Sequence, residues 1–352
     1  MFSRQLVGAL ALSLASLCGT AAHAAPKTQF NVCWTIYAGW MPWEYAGTQG
    51  IVDKWAKKYG INIKVTQLND YVESINQYTA GQFDGCTMTN MDALTIPAAG
   101  GVDSTALIPG SYSNGNDGIV LKGAGKTLKD LKGQNVHLVQ FSVSHYLLAR
   151  GLDQAGLRER DIKVVNTSDA DITGAFGTPK VTAAVTWNPQ LATIAATPGA
   201  VKVFDSSQVP GEIIDLMVVN TATLKDNPAL GKALTGAWFE VMALMKAGNT
   251  PALTHMAKAS GTTLADYQSQ LKTTALMFTP ADAVSFVTSP KLADTMKRVA
   301  KFSFDKKLLG EGAKSADAIG VAFPGGAVNG NAKNTKLRFD DTYLRLAADG
   351  KL

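Results

Sequence analysis

The chain has 352 residues, 46% of them hydrophobic, and carries 33 Lys and Arg against 28 Asp and Glu, a formal net charge of +5. It is long enough for two domains of ordinary size, each with a developed core. The charge is spread along the chain without the basic blocks or basic-aromatic interleaving of a nucleic-acid surface, and three cysteines in such a length exclude a disulfide framework.

Residues 1–24 read as a cleavable secretory signal. Arg4 precedes an apolar run from Leu6 to Leu17, and Ala22-His23-Ala24 is an A-x-A cleavage pattern. The run is about a dozen residues, short of the roughly twenty needed to span a bilayer, and no later stretch is longer. Leu17 stands where a lipoprotein would carry a small residue before its modified cysteine, so Cys18 is not read as an anchor. The expectation is an exported protein starting near Ala25, without a membrane anchor. Of its two cysteines, Cys33 and Cys86, export permits a bridge, but two buried free thiols are the favoured reading because the cores need no staple.

The mature chain opens with a buried strand, Phe30 to Ile36, that runs into an aromatic segment carrying Tyr37, Trp40, Trp43, Glu44 and Tyr45. Gly39 and Pro42 interrupt any helical period there, which predicts a loop at the carboxyl end of the first strand, the place where α/β sheets bind ligands. A helix follows over Gly47 to Tyr59, then a strand from Ile61 to Leu68, then a helix from Tyr71 to Ala80 capped by Asn69-Asp70. A third strand begins near Phe83. Alternating strands and helices predict a parallel sheet with right-handed crossovers. The third strand ends in Thr87, Thr89, Asn90 and Asp92 at a helix start. Either capping or ligand contact accounts for them, and Asp92 suits both a helix dipole and a cationic ligand.

A polar segment, SYSNGNDGIVLKG, leads into a second unit. It contains a strand from Val136 to Gln140, then Ser142, Ser144 and His145 at a helix start, a strand from Ile162 to Asn166, and a strand that ends at Thr186 or Trp187 beside Asn188. Trp187 and Asn188 therefore hold in this half the position of the aromatic segment in the first. Glu212 and Asp215 open a strand that runs to Asn220. Long helices follow: Pro228 to Lys246, Pro251 to Lys258, Leu264 to Met277, Pro280 to Val287 and Lys291 to Lys301. The pattern is that of a chain which crosses to a second domain and returns.

GQFDGCTMTNMDAL, KTLKDLKG, SVSH and AAVTWNP, in that order, resemble the periplasmic solute-binding proteins of ABC importers, in the group that carries nitrate, sulfonates, taurine and thiamine precursors. CWTIYAGWMPWEYAG, LNDYVESINQYTAG, TNMDAL and SNGND resemble most the binding proteins of urea-carboxylase-associated urea and guanidine transporters. The resemblance implies an α/β, two-lobe periplasmic-binding-protein fold (type II), each lobe a sheet flanked by helices. Two crossover strands, Asp117 to Leu121 and Glu212 to Asn220, would join lobe 1 (25–116 and 220–352) to lobe 2 (117–219). It also implies a membrane permease and its ATPase as partners.

Catalysis has little support. His137, His145 and His255 lack the spacing of a metal site, Ser144 and His145 are adjacent and do not face each other on a helix, and the cysteine-rich motif of the pyrimidine-forming enzymes on this fold is absent. No cofactor is expected. The cleft segments contain no Arg or Lys to hold an anion, but offer Glu44, Asp92, Glu212 and Asp215 beside Trp40, Trp43 and Trp187. That set predicts a small planar cation, guanidinium, accepted by carboxylates and stacked on indole faces. Urea or another small amide is the alternative, followed by a nitrate, sulfonate or taurine-type anion, and then by a sensory protein or a pyrimidine-synthesis-like enzyme on the same fold.

Overall fold

The computed structural model describes residues 27–352, and the signal reading of Met1 to Ala24 lies outside the described residues. The strands are β1 (Gln29–Thr35), β2 (Asn62–Leu68), β3 (Gly85–Thr89), β4 (Ser104–Ser113), β5 (Asp117–Lys122), β6 (Asn135–Leu138), β7 (Lys163–Asn166), β8 (Ala183–Trp187), β9 (Ala200–Asp205) and β10 (Ile214–Asn220). Four short strands follow: β11 (Thr274–Leu276), β12 (Gly320–Ala322), β13 (Val328–Asn329) and β14 (Thr335–Phe339).

They form two sheets flanked by helices, the expected α/β class. The first has nine strands in the order β13-β12-β14-β4-β10-β3-β1-β2, with β11 paired to β4; the second has five, in the order β7-β6-β8-β5-β9. β1 pairs in parallel with both β2 and β3, as the strand-helix alternation predicts. β10 runs antiparallel between β3 and β4. The chain leaves the first sheet through Asn114–Asn116 and returns through Ser206–Ile213. Asp117 to Leu121 is therefore wholly a strand of the second sheet. β10 belongs to the first, so residues 214–219, placed in lobe 2 from the sequence, pair with lobe 1 strands.

Local chemistry sets the elements that carry the site. Asp70 caps the helix Tyr71–Thr79 by accepting from the Glu73 N–H, and Ser142 caps Val143–Ala155 by accepting from the Ser144 N–H. The aromatic segment departs from the expected loop: Met41–Thr48 is a helix, so Trp43, Glu44 and Tyr45 lie on it. Pro42 sits in the first turn, where its missing N–H costs nothing and its fixed φ favours helix, so it starts the element rather than breaking it. Gly50, at φ 71°, separates this helix from Ile51–Lys58, and the single helix expected over Gly47 to Tyr59 is two.

Cys33 and Cys86 are register partners on neighbouring strands, with Cα atoms 4.4 Å apart, and form a disulfide. The favoured reading of two free thiols is thereby corrected: adjacency in the sheet, invisible to the sequence, decides the pairing. The helical finish is also incomplete, because β12, β13 and β14 extend the first sheet where no strands were expected.

Candidate functional site

The two sheets face each other across a small cavity lined by Tyr37, Trp40, Tyr71, Thr89, Asp117, Val143, Trp187, Ile213 and Asp215. Each side chain comes from an element end. Tyr37 and Trp40 follow β1, Thr89 ends β3 and Tyr71 begins its helix; Asp117 begins β5, Trp187 ends β8, and Ile213 and Asp215 straddle the start of β10.

Aromatic rings wall the cavity. Trp40 packs edge-on to Tyr37, with ring centroids 5.0 Å apart, and 5.8 Å from Tyr71. Tyr71 in turn meets Trp187 of the opposite lobe edge-on at 5.4 Å. Gly39 permits the tight turn between Tyr37 and Trp40, since a Cβ there would stand 2.6 Å from the Tyr37 ring.

The polar groups around the cavity are acidic. Asp215 accepts from the hydroxyls of Tyr37, at 3.0 Å, and Ser111, at 2.5 Å. Asp92, one layer behind Thr89, accepts from Tyr71 Oη at 2.6 Å and Thr89 Oγ1 at 2.8 Å, and its other oxygen is buried with no partner. Asp117 stands beside Ser113. These carboxyls are 0%, 3% and 2% exposed for Asp92, Asp117 and Asp215 respectively. Among the described residues, no Lys, Arg or His pairs with any of them.

Burial without a counter-charge pushes the three carboxyls up, to about 6 for Asp92, about 7 for Asp117 and about 8 for Asp215. Their mutual repulsion adds to it, Asp117 acting on Asp215 and Asp92 on Asp117. Tyr37 and Tyr71, buried against Asp215 and Asp92, are raised well above the usual phenol range and stay hydrogen-bond donors.

Of the residues singled out in the sequence, Tyr37, Trp40, Thr89, Trp187 and Asp215 line the cavity, and Asp92 supports it. The others are placed elsewhere. Trp43 is core, packed on Trp238 with ring centroids 5.1 Å apart. Glu44 pairs with His255 at 2.8 Å, because the helix Met41–Thr48 turns it away from the cavity. Thr87 is buried within β3. Asn90 cross-links to the return segment, donating to the Glu212 carbonyl and accepting from the Ile214 N–H.

In the second lobe, Ser142 is a helix cap, and Ser144 is buried without lining the cavity. His145 faces Glu159 at 3.1 Å; burial, then nearby Lys306, pushes its imidazole down to about 4, which keeps it neutral. Asn188 caps the next helix through the Ala192 N–H and links the lobes by accepting the Ala38 N–H on its carbonyl. Glu212 is clasped by Arg150 at 2.9 Å, Arg298 at 3.2 Å and the Tyr146 hydroxyl at 2.6 Å, so its charge is already satisfied.

Four lining residues were not named from the sequence as site residues: the apolar Val143 and Ile213, and the polar Asp117 and Tyr71. Asp117 was read only as part of a crossover, although a carboxylate opening a buried strand was the available signal. Tyr71 was read only as the first residue of a helix.

Residues 54–247 match the model of the family described as NMT1/THI5 like. The chain belongs to that family. A protein of Escherichia coli (strain K12), named as an aliphatic sulfonates-binding protein, is 29% identical over 136 residues, which are 39% of this chain and 42% of that one. The matched stretch thus spans less than half of this curated relative. Among solved structures, the alkanesulfonate-binding protein from Xanthomonas axonopodis pv. citri bound to MOPS superposes with a TM-score of 0.67 at 17% identity, over 82% of this chain and 96% of that one. A desulfurization enzyme superposes with a TM-score of 0.58 at 12% identity, over 92% and 100% of the two chains. The fold of this chain is therefore one that solved binding proteins and a solved enzyme both adopt. No comparison singles out the urea or guanidine subgroup. Among the described residues, no helix is long and apolar enough to cross a membrane.

Proposed function

We propose that this chain is the periplasmic solute-binding component of an ABC importer, working with a membrane permease and its ATPase, and that it closes over a small planar nitrogen cation, guanidinium fitting best. One observation carries the ligand: Asp117 and Asp215 face a small cavity, with Asp92 behind, and among the described residues no cation pairs with them. Three carboxylates buried together are costly unless a positive ligand completes them. A guanidinium supplies N–H donors in a plane that carboxylates accept in pairs, and the walls of Trp40, Tyr71 and Trp187 suit its faces.

A second reading has its own support. The names of the relatives favour a sulfonate-type ligand over guanidinium, and Trp40 keeps a buried indole N–H with no acceptor, which an anion or urea could fill. Against the sulfonate stand the carboxyls of Asp117 and Asp215 in the lining. Titration calorimetry of the ligand-free protein with guanidinium, urea, nitrate and ethanesulfonate separates these readings. The proposal expects guanidinium to bind at least about 100-fold more tightly than the rest, about 2.7 kcal/mol. Preferred binding of ethanesulfonate would overturn it.

A further inference from the structure

We propose that the cavity exchanges protons for its ligand: in the closed, ligand-free protein the carboxyls of Asp117 and Asp215 hold protons, and an entering cation displaces them to solvent. This rests on the cation reading and adds a property to the same site.

Asp215 is faced by the Tyr37 hydroxyl from the segment after β1, by the Ser111 hydroxyl from β4 and by Asp117 from β5. Asp117 is faced by Ser113 from β4 and by the charge of Asp92. Asp92 is faced by the hydroxyls of Tyr71 and Thr89 and by the Val143 N–H. All of these neighbours are either neutral or acidic. The nearest basic clasp along the chain, Arg150 with Arg298, is committed to Glu212.

Three carboxylates buried together with no paired cation cannot all keep their charge, so the ligand-free site takes up protons. Burial raises Asp117 to about 7 and Asp215 to about 8, which places the exchange at neutral pH. When a cation enters, each carboxyl that becomes a carboxylate acceptor gives its O–H proton to water or buffer, and the positive ligand replaces that proton's charge. A neutral ligand would leave the protons in place. An anion would require more of them.

The test is calorimetric titration of the full mature protein with guanidinium chloride at pH 7, in phosphate and in Tris, whose ionisation enthalpies differ widely. The proposal expects a buffer-dependent enthalpy equivalent to at least about half a proton released per ligand, and an affinity that rises with pH from 6 to 8, by up to about tenfold per unit for each proton displaced. Asp117→Asn should bind more weakly and release fewer protons. Guanidinium binding with a buffer-independent enthalpy and pH-flat affinity would overturn the exchange while leaving the cation reading intact. Failure of guanidinium to bind at all would overturn both.

Discussion

Tyr71 and Asp169 meet across the cleft between the lobes: the Tyr71 N–H, in the first turn of the helix Tyr71–Thr79, donates to Asp169 Oδ1 at 3.3 Å. Asp169 belongs to the second lobe, between β7 and the helix Ile172–Gly177, and is buried there. The same Tyr71 lines the cavity and holds Asp92 with its hydroxyl. The contact therefore ties the second sheet's side of the cleft to the cavity wall, and a helix N-terminus is a favourable partner for a carboxylate.

Asp169→Asn should weaken ligand binding by about 0.5–2 kcal/mol, mainly through faster dissociation, because it removes a charge-assisted bond made when the lobes close. Stopped-flow release of guanidinium checks this. An unchanged dissociation rate would remove Asp169 from the closure contacts.

Asp215→Asn should cut guanidinium affinity by about 2–5 kcal/mol, the range for truncating a buried charged pair. The ligand-free protein should not lose stability at pH 8, since the substitution removes an uncompensated buried charge while its amide oxygen still accepts from Tyr37 and Ser111. Melting temperature and affinity measured on one preparation decide this. Intact binding would take Asp215 out of the site.

Gly39→Ala should lower affinity with little change in global stability. Its added Cβ displaces the Tyr37 ring, which it would meet at 2.6 Å, and with it the Tyr37–Asp215 bond at 3.0 Å. Wild-type affinity in the alanine variant would show that the close turn does not position Tyr37 for binding.

The ligand-free protein should lose stability as pH rises from about 4 to about 8. In that window the folded state holds protons on Asp92, Asp117 and Asp215, raised by burial to about 6, 7 and 8, while the unfolded chain, with carboxyls near 4, has released them. Because the native state binds more protons, the slope of unfolding free energy with pH is negative. The contribution is fully present below the unfolded value and lost as pH passes through the folded values. Thermal melts at pH 5 and 8 for the wild type and Asp215→Asn isolate it, and a substitution that leaves the difference between the two pH values unchanged contradicts the assignment.

The sequence made the lobes and half of the cavity legible because strand-helix alternation and strand-end chemistry are local. Tyr37, Trp40, Thr89, Trp187 and Asp215 were found by their positions at the ends of buried strands. Glu44 and Glu212 were misplaced because their partners, His255 and the pair Arg150 and Arg298, are distant in sequence and no periodicity announces an ion pair. Asp117 escaped for the complementary reason: what sets it apart is that, among the described residues, no cation pairs with it. The bridge between Cys33 and Cys86 likewise depends on β1 and β3 being neighbours in register. The strands after residue 319 are two to five residues long, too short for a two-residue alternation to stand out.

A small planar cation should complete the buried carboxylates of this cavity. A crystal structure of the protein grown with guanidinium chloride checks this. Flat density is expected within hydrogen-bonding distance of Asp117 and Asp215, stacked against the ring of Trp40, Tyr71 or Trp187. An empty cavity at saturating guanidinium, or an alkanesulfonate seated among those carboxyls, would contradict it.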